Sequence, residues 1–236
     1  MKRELLARIQ ALRNGKTPFV LITNLDTGSQ QIFREEEPLG DLAQEIFEEA
    51  RLALRCHESR VLFHDEARHF LQIFGPPPRL LLVGAVHISQ SLCEMATIAG
   101  FDVTIIDPRR PYASGHRFGD VEISNEWPEQ ALRNAMVDHR CAIVTLAHDP
   151  KIDDPALCFA IRSNAFYVGA LGSRKTHANR LKRLREHGFG ESELERIRGP
   201  VGLAIGAVSP AEISVSILAD IVSHLRSAPK SVSSPA

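Results

Sequence analysis

The spacing of apolar residues changes along this chain, and each change marks an element. Leu5, Leu6, Ile9 and Leu12 recur at helical spacing, and Gly15 closes that helix. Residues 19–23 read as a strand, Asp26-Thr27-Gly28 as a turn and residues 31–33 as the partner strand. Leu39, Leu42, Ala43, Ile46, Phe47, Ala50, Ala53 and Leu54 then form a one-sided helical stripe. Glu45, Glu48 and Glu49 lie on its outer face, where solvent is their natural partner. Residues 61–63 and 70–74 predict a second hairpin around Asp65-Glu66. Residues 1–75 therefore read as a small α+β domain, and Gly75-Pro76-Pro77-Pro78 as a stiff connector behind it.

The rhythm differs after the prolines. Leu80-Leu81-Leu82-Val83 is a short continuous apolar run, as in a central parallel strand, and it stops at Gly84. Ile88, Leu92, Met95, Ala96 and Ala99 continue as a helix that Gly100 ends, and residues 103–106 are a strand running into Asp107. This is a βαβ unit with an acid about twenty residues past the turn, the layout of a dinucleotide fingerprint. The pattern G-x-G-x-x-G needs glycine at 84, 86 and 89, where this chain has Gly84, Val86 and Ser89. Ser89 is small enough to let helix and strand pack, but Val86 puts a β-branched side chain where a pyrophosphate would approach.

From Pro108 to Trp127-Pro128 the chain is polar and reads as mostly loop. Ala131, Leu132, Ala135 and Met136 suggest a short helix, and residues 141–146 a buried strand ending in Ala147-His148-Asp149. Asp153-Asp154-Pro155 suits the start of the next helix, through Ala156, Leu157, Phe159, Ala160 and Ile161. Residues 165–170 are another strand, followed by Gly172-Ser173-Arg174-Lys175-Thr176 and a basic helix over 177–187. Ser209-Pro210-Ala211-Glu212 is a capping box opening a final helix. The Ser/Pro-rich tail, 227–236, reads as disordered. Alternating strands and helices over residues 79–226 predict an α/β fold, a Rossmann-like doubly wound parallel sheet.

Composition narrows the function classes. The 236 residues carry 28 Lys and Arg against 29 Asp and Glu, so nothing steers the chain to nucleic acid or an acidic membrane. Met1-Lys2-Arg3-Glu4 leads into an amphipathic helix rather than a secretory signal, and no apolar run approaches bilayer length. A cytoplasmic location is the expectation. Cys56, Cys93, Cys141 and Cys158 show no C-x-x-C spacing and read as buried thiols.

Three strand ends then converge on one sheet edge, carrying Gly84-Ala85-Val86-His87, His148-Asp149 and Gly172-Ser173-Arg174-Lys175. His87, at a helix start, could donate to an anion or bond local backbone. Asp107 is placed to hold ribose hydroxyls, or is an ordinary strand-end acid. Arg109 and Arg110 suit phosphate, or Arg110 is simply a solvated loop residue. His148 and Asp149 could be a base and its orienter, or could grip a ligand. Ser173, Arg174 and Lys175 offer donors to a phosphate or pterin-like anion, or simply cap a helix. There is no Ser-His-Asp nucleophile elbow, no P-loop and no clustered metal-ligand set.

Gly84-Ala85-Val86-His87-Ile88, residues 103–108, the run Leu146-Ala147-His148-Asp149-Pro150-Lys151-Ile152-Asp153-Asp154-Pro155-Ala156-Leu157, residues 167–176 and residues 202–220 together resemble the XdhC/CoxI family. These are accessory factors of xanthine dehydrogenase and related molybdenum hydroxylases. The resemblance implies a C-terminal Rossmann-like domain that binds molybdenum cofactor, protects it during sulfuration and delivers it to an apo-hydroxylase. Dimerisation would fit the family, and in a docking reading the N-terminal acidic helix binds a cysteine desulfurase or a hydroxylase. The Ser-Gly-Gly-Cys motif of longer members is absent here, and Ala204 stands where the family commonly has an aspartate. A maturation factor rather than an enzyme is the expectation. The alternatives are an NAD(P)-dependent oxidoreductase with a degenerate fingerprint and a pure docking protein.

Overall fold

Two separate sheets organise the chain in a computed structural model that describes residues 3–15, 17–37, 43–112 and 115–227. They belong to two units, Met1–Pro76 with Leu225–Ala236, and Pro77–His224.

In the first unit α1 (Arg3–Asn14) precedes β1 (Phe19–Asn24) and β2 (Gln30–Phe33), and α2 (Gln44–Cys56) precedes β3 (Arg60–His64) and β4 (Ala67–Phe74). The strands pair antiparallel in the order β2-β1-β4-β3. Successive side chains of β1 point to opposite faces. Val20 and Ile22 join Phe33, Leu71 and the α2 stripe Ile46, Ala50 and Leu54. Phe19 and Leu21 join Ile32 and Ile9 of α1. A helix therefore covers each face, which is why β1 is buried along most of its length. Asp65 and Glu66 have φ of 49° and 59°, the left-handed pair that a two-residue hairpin turn requires. Leu39 and Leu42 of the predicted helical stripe lie outside the described residues, as does the tail beyond Ser227.

The second unit contains, in order, β5 (Arg79–Val83), α3 (His87–Ile98), β6 (Asp102–Ile106), α4 (Gly115–Phe118), β7 (Glu122–Ser124), α5 (Pro128–Asn134) and β8 (Cys141–Thr145). Then come α6 (Pro150–Arg162), β9 (Tyr167–Ala170), α7 (Arg174–Glu186), α8 (Glu191–Leu194), β10 (Ile197–Arg198) and α9 (Pro210–Arg226), the last up to His224 in this unit. All its strands are parallel, in the order β10-β9-β8-β5-β6-β7. The chain runs outward from β5 to β7, then returns to β8 and runs outward the other way. The order thus reverses between β5 and β8, the Rossmann arrangement. Val83 lies level with both Ile106 and Thr145, so the three central strands end together.

The residues dictate this sheet. Leu80 to Val83 are at most 1% exposed, because β5 is covered on both faces. Leu81, Val83, Ile143 and Val168 share one core cluster with Ile152, Ala156, Leu157 and Ala160 of α6. Two expectations are corrected. α6 starts at Pro150, not after Asp153, because Asp149 is its N-cap and Pro155 lies inside the helix. The stretch expected to be mostly loop before Trp127 contains α4 and β7, and β7 pairs with β6 through only three residues.

Candidate functional site

The turn after β5 is locked by its neighbours. Gly84 has φ of 114°, and a Cβ there would lie 2.6 Å from the Ala147 nitrogen and 2.8 Å from its Cα. This glycine is required because the β5 and β8 loops cross closely at the point where the sheet reverses. The Leu146 amide donates to the Val83 carbonyl at 2.7 Å, and the Gly84 amide to Ile106 at 2.9 Å. The Ala85 amide donates to Asp107 at 2.7 Å, while Arg117 donates to the Ala85 carbonyl at 2.9 Å. Ser89, fully buried, takes the Val86 amide at 3.2 Å and donates its hydroxyl to the Gly84 carbonyl. The third position of the damaged fingerprint is thus a polar staple as well as a small side chain.

Asp107 turns inward. It is 0% exposed, and besides Ala85 it accepts the Arg109 amide, Nε and Nη2 at 2.9, 2.9 and 2.8 Å. Its carboxylate is filled from within and is not free to hold a ribose. Burial pushes its pKa up, but the bonds from Arg109 and Ala85 outweigh this and hold it below the ordinary value. Arg109 is correspondingly raised, first by the bond to Asp107. Asp149 adds in the same sense, so the ends of β6 and β8 lie within electrostatic reach.

The β8 end is built differently. His148 is exposed and adopts φ of 58°, unusual for a residue with a Cβ. Asp149 caps α6, accepting the Lys151 amide at 3.0 Å. Among the described residues no hydrogen bond joins the His148 ring to Asp149, so the proposed base and orienter are not coupled. Asp153, one turn into α6, folds back to accept the Ala147 amide at 3.2 Å and is 3% exposed. Burial raises its pKa to about 6 against the opposing pull of Arg180 and the Ala147 and His148 amides. Burial and Arg180 both lower the pKa of His148.

Helix α7 supplies the third wall. Gly172 has φ of 145°, and Ser173 is the N-cap, accepting the Thr176 amide at 3.1 Å. Its oxygen also meets the Thr176 hydroxyl at 2.9 Å, so Ser173 is committed to the helix start. Arg174 and Lys175 are exposed. Arg180 is not: it is 2% exposed and donates Nη2 to the Leu171 carbonyl at 2.7 Å, while Nε and Nη1 have no partner. Arg183 grips Asp154 through Nε and Nη2 at 2.6 and 2.9 Å.

These pieces surround a cleft of about 140 Å³ lined by His148, Pro150, Asp153, Thr176, Asn179, Arg180 and Arg183. His87, Arg174 and Lys175 do not line it, so the structure does not gather all the expected donors into one cavity. Two larger clefts, about 640 and 750 Å³, contain none of the expected site residues. Asp153, Asn179, Arg180 and Arg183 were missed in the sequence. Arg180 and Leu184 lie four residues apart on one helical face and are both buried, but nothing in the sequence sets this arginine apart from the other cations of α7.

The family model of the XdhC Rossmann domain matches residues 80–221, the sheet and the loops just described. This chain belongs to the XdhC family. The XdhC-family chain is 34% identical over 161 residues to a Bacillus subtilis strain 168 protein named as a probable xanthine dehydrogenase subunit, covering 68% of this chain and 47% of that protein. It is 31% identical over 150 residues to the molybdenum cofactor insertion chaperone PaoD of Escherichia coli K12, covering 64% and 41%. It therefore spans less than half the length of these relatives. A crystal structure of a Bacillus halodurans protein, described as a xanthine dehydrogenase, superposes with a TM-score of 0.67 over 99% of this chain and 67% of the other. At 23% identity that likeness shows a shared fold. Among the described residues, no helix is long and apolar enough to cross a membrane.

Proposed function

We propose that this chain binds molybdenum cofactor, shields it while it gains its terminal sulfur, and passes it to an apo-xanthine dehydrogenase or related molybdenum hydroxylase. One observation carries the reading: the XdhC Rossmann match covers the sheet whose strand ends hold the donor-lined cleft. The relative named as a molybdenum cofactor insertion chaperone supports it.

The residues fit the organic part of that cofactor. The cleft presents a buried guanidinium beside amide and hydroxyl groups, a donor set suited to the phosphate of a pterin cofactor. Among the described residues no three His, Cys, Asp or Glu side chains gather as a metal site, and the proposed grip is on the phosphate. When bound, the cofactor carries the molybdenum that the client enzyme uses for redox chemistry. The protein's own residues hold and orient. Asp107 and Ser89 fix the β5 turn, Asp149 fixes the start of α6 beside His148, and Ser173 fixes the start of α7. Among the described residues His148 has no carboxylate orienter, which favours holding the ligand over transferring protons.

A homodimer, and a cysteine desulfurase docking during sulfuration, belong to the same proposal. The nicotinamide reading is weaker, because Asp107 is filled internally and Val86 stands at the second glycine position. The test is a titration of the purified protein with molybdenum cofactor, read as fluorescence of the oxidised pterin retained by the protein. Saturable retention, and faster reconstitution of an apo-hydroxylase, are expected. No retention and unchanged reconstitution would overturn the reading.

A further inference from the structure

We infer that Arg180 is the floor of an oxyanion site that takes a phosphate monoester or another tetrahedral anion between the β8–α6 loop and α7. A guanidinium has five N–H donors in a fixed fork. In Arg180 the Nη2 group donates to Leu171 at 2.7 Å, while Nε and Nη1 are buried without partners among the described residues. Leaving charged donors unsatisfied away from water is costly; Arg34, Arg79 and Arg140 each have one such nitrogen, and Arg180 differs in having two and in lining a cleft.

The neighbouring carboxylates do not complete it. Asp153 spends an oxygen on the Ala147 amide, and Asp154 is gripped at both oxygens by Arg183. Both contribute field to Arg180 without a hydrogen bond. Asn179 and Thr176 add exposed polar groups on the α7 side, and His148 adds one on the loop side. The cleft, about 140 Å³, is well below the roughly 300 Å³ at which pockets for drug-sized ligands begin. It has room for a single oxyanion, not for a pterin ring or a nucleotide. Arginine suits the task because its paired N–H groups match two oxygens of one anion.

This site rests on the proposed function only for its natural ligand, the phosphate of the pterin cofactor; the site itself is testable with sulfate. In ¹⁵N-labelled protein, sodium sulfate is titrated against chloride at constant ionic strength while the arginine Nε–H signals are followed. One such signal should shift saturably and be missing from Arg180→Lys. Affinity should fall about tenfold or more in Arg180→Lys, which loses the bidentate fork. It should fall about three- to fivefold in Asn179→Asp, which sets a negative charge on the exposed wall and leaves the core intact. No saturable shift, or unchanged affinity in Asn179→Asp and in folded Arg180→Lys, would overturn the site. Sulfate binding without cofactor retention would keep the site and remove the proposed function. Cofactor retention without saturable sulfate binding would do the reverse.

Discussion

The carboxylate of Asp107 accepts the backbone amide of Ala85 at 2.7 Å, joining the end of β6 to the turn after β5. In a dinucleotide-binding sheet an acid at this place would face a ribose. Here it faces inward, and Arg109 closes over it with three further bonds. The acid is part of the scaffold of the β5 turn.

Replacing Asp107 with asparagine should therefore destabilise the fold. The new amide cannot accept all the donors of Ala85 and Arg109, and a buried arginine bond is broken. The expected loss is about 3 kcal/mol, read by chemical denaturation. The sign with pH follows from the lowered carboxyl pKa. That stabilisation is present above the unfolded value, about 4, and fades as pH falls through the folded one. The gap between wild type and variant should close in acid.

Gly84→Ala should be more damaging than its one methyl group suggests. The Cβ meets backbone, 2.6 Å from the Ala147 nitrogen, and φ of 114° is strained for alanine. The loss expected is about 3 kcal/mol or more, whereas Gly100→Ala, with φ of 89° but nothing within 4 Å, should cost about 1–2 kcal/mol. Equal losses would show that backbone conformation alone, and not the crossing of the two loops, demands Gly84.

Much of this architecture was legible in the residues. The run from Leu80 to Val83 is a buried parallel strand because both faces are covered, and the sequence shows that as unbroken apolarity. β7 was hidden because Glu122-Ile123-Ser124 is too short to display a period. The start of α6 was misplaced because the chain offers two Asp-Pro signals, Asp149-Pro150 and Asp154-Pro155, and only the first is the cap. The site was harder to see. Asp107 and Ser173 look like ligand groups in sequence, yet each is spent on nearby backbone. Arg180 looks like one more cation of a solvated basic helix, and only tertiary packing identifies it as the buried one.

Asp153 should make stability rise toward mild acid. Its folded pKa, about 6, lies above the unfolded value, so the folded state takes up a proton first. As pH falls from about 7 to about 4 the fold gains stability from this group, on the order of 2–3 kcal/mol at about 1.4 kcal/mol per pK unit. Asp153→Asn keeps an acceptor for the Ala147 amide and removes the charge. The variant should be more stable than wild type at pH 8 and equal to it near pH 4. A constant difference at both pH values would show that Asp153 does not titrate in this window.

The same carboxylate should govern anion binding. At pH 7.5 Asp153 is charged and partly cancels the field of Arg180; below about 6 it is neutral and that cancellation ends. Sulfate keeps its charge across this range, so its affinity reports the protein alone. The other groups facing Arg180 are Asp154, Arg183, His148 and His177. Asp154 is held by Arg183. Burial and Arg180 lower the pKa of both histidines, so their charging is delayed on acidification and, where it comes, pushes in the same direction. Wild-type affinity for sulfate should rise about three- to tenfold between pH 7.5 and 5.5. In Asp153→Asn it should already be high at pH 7.5 and change little on acidification, with only the histidine contribution left. A rise of undiminished size in that variant would assign the effect to His148 or His177, and would separate Asp153 from the anion site altogether.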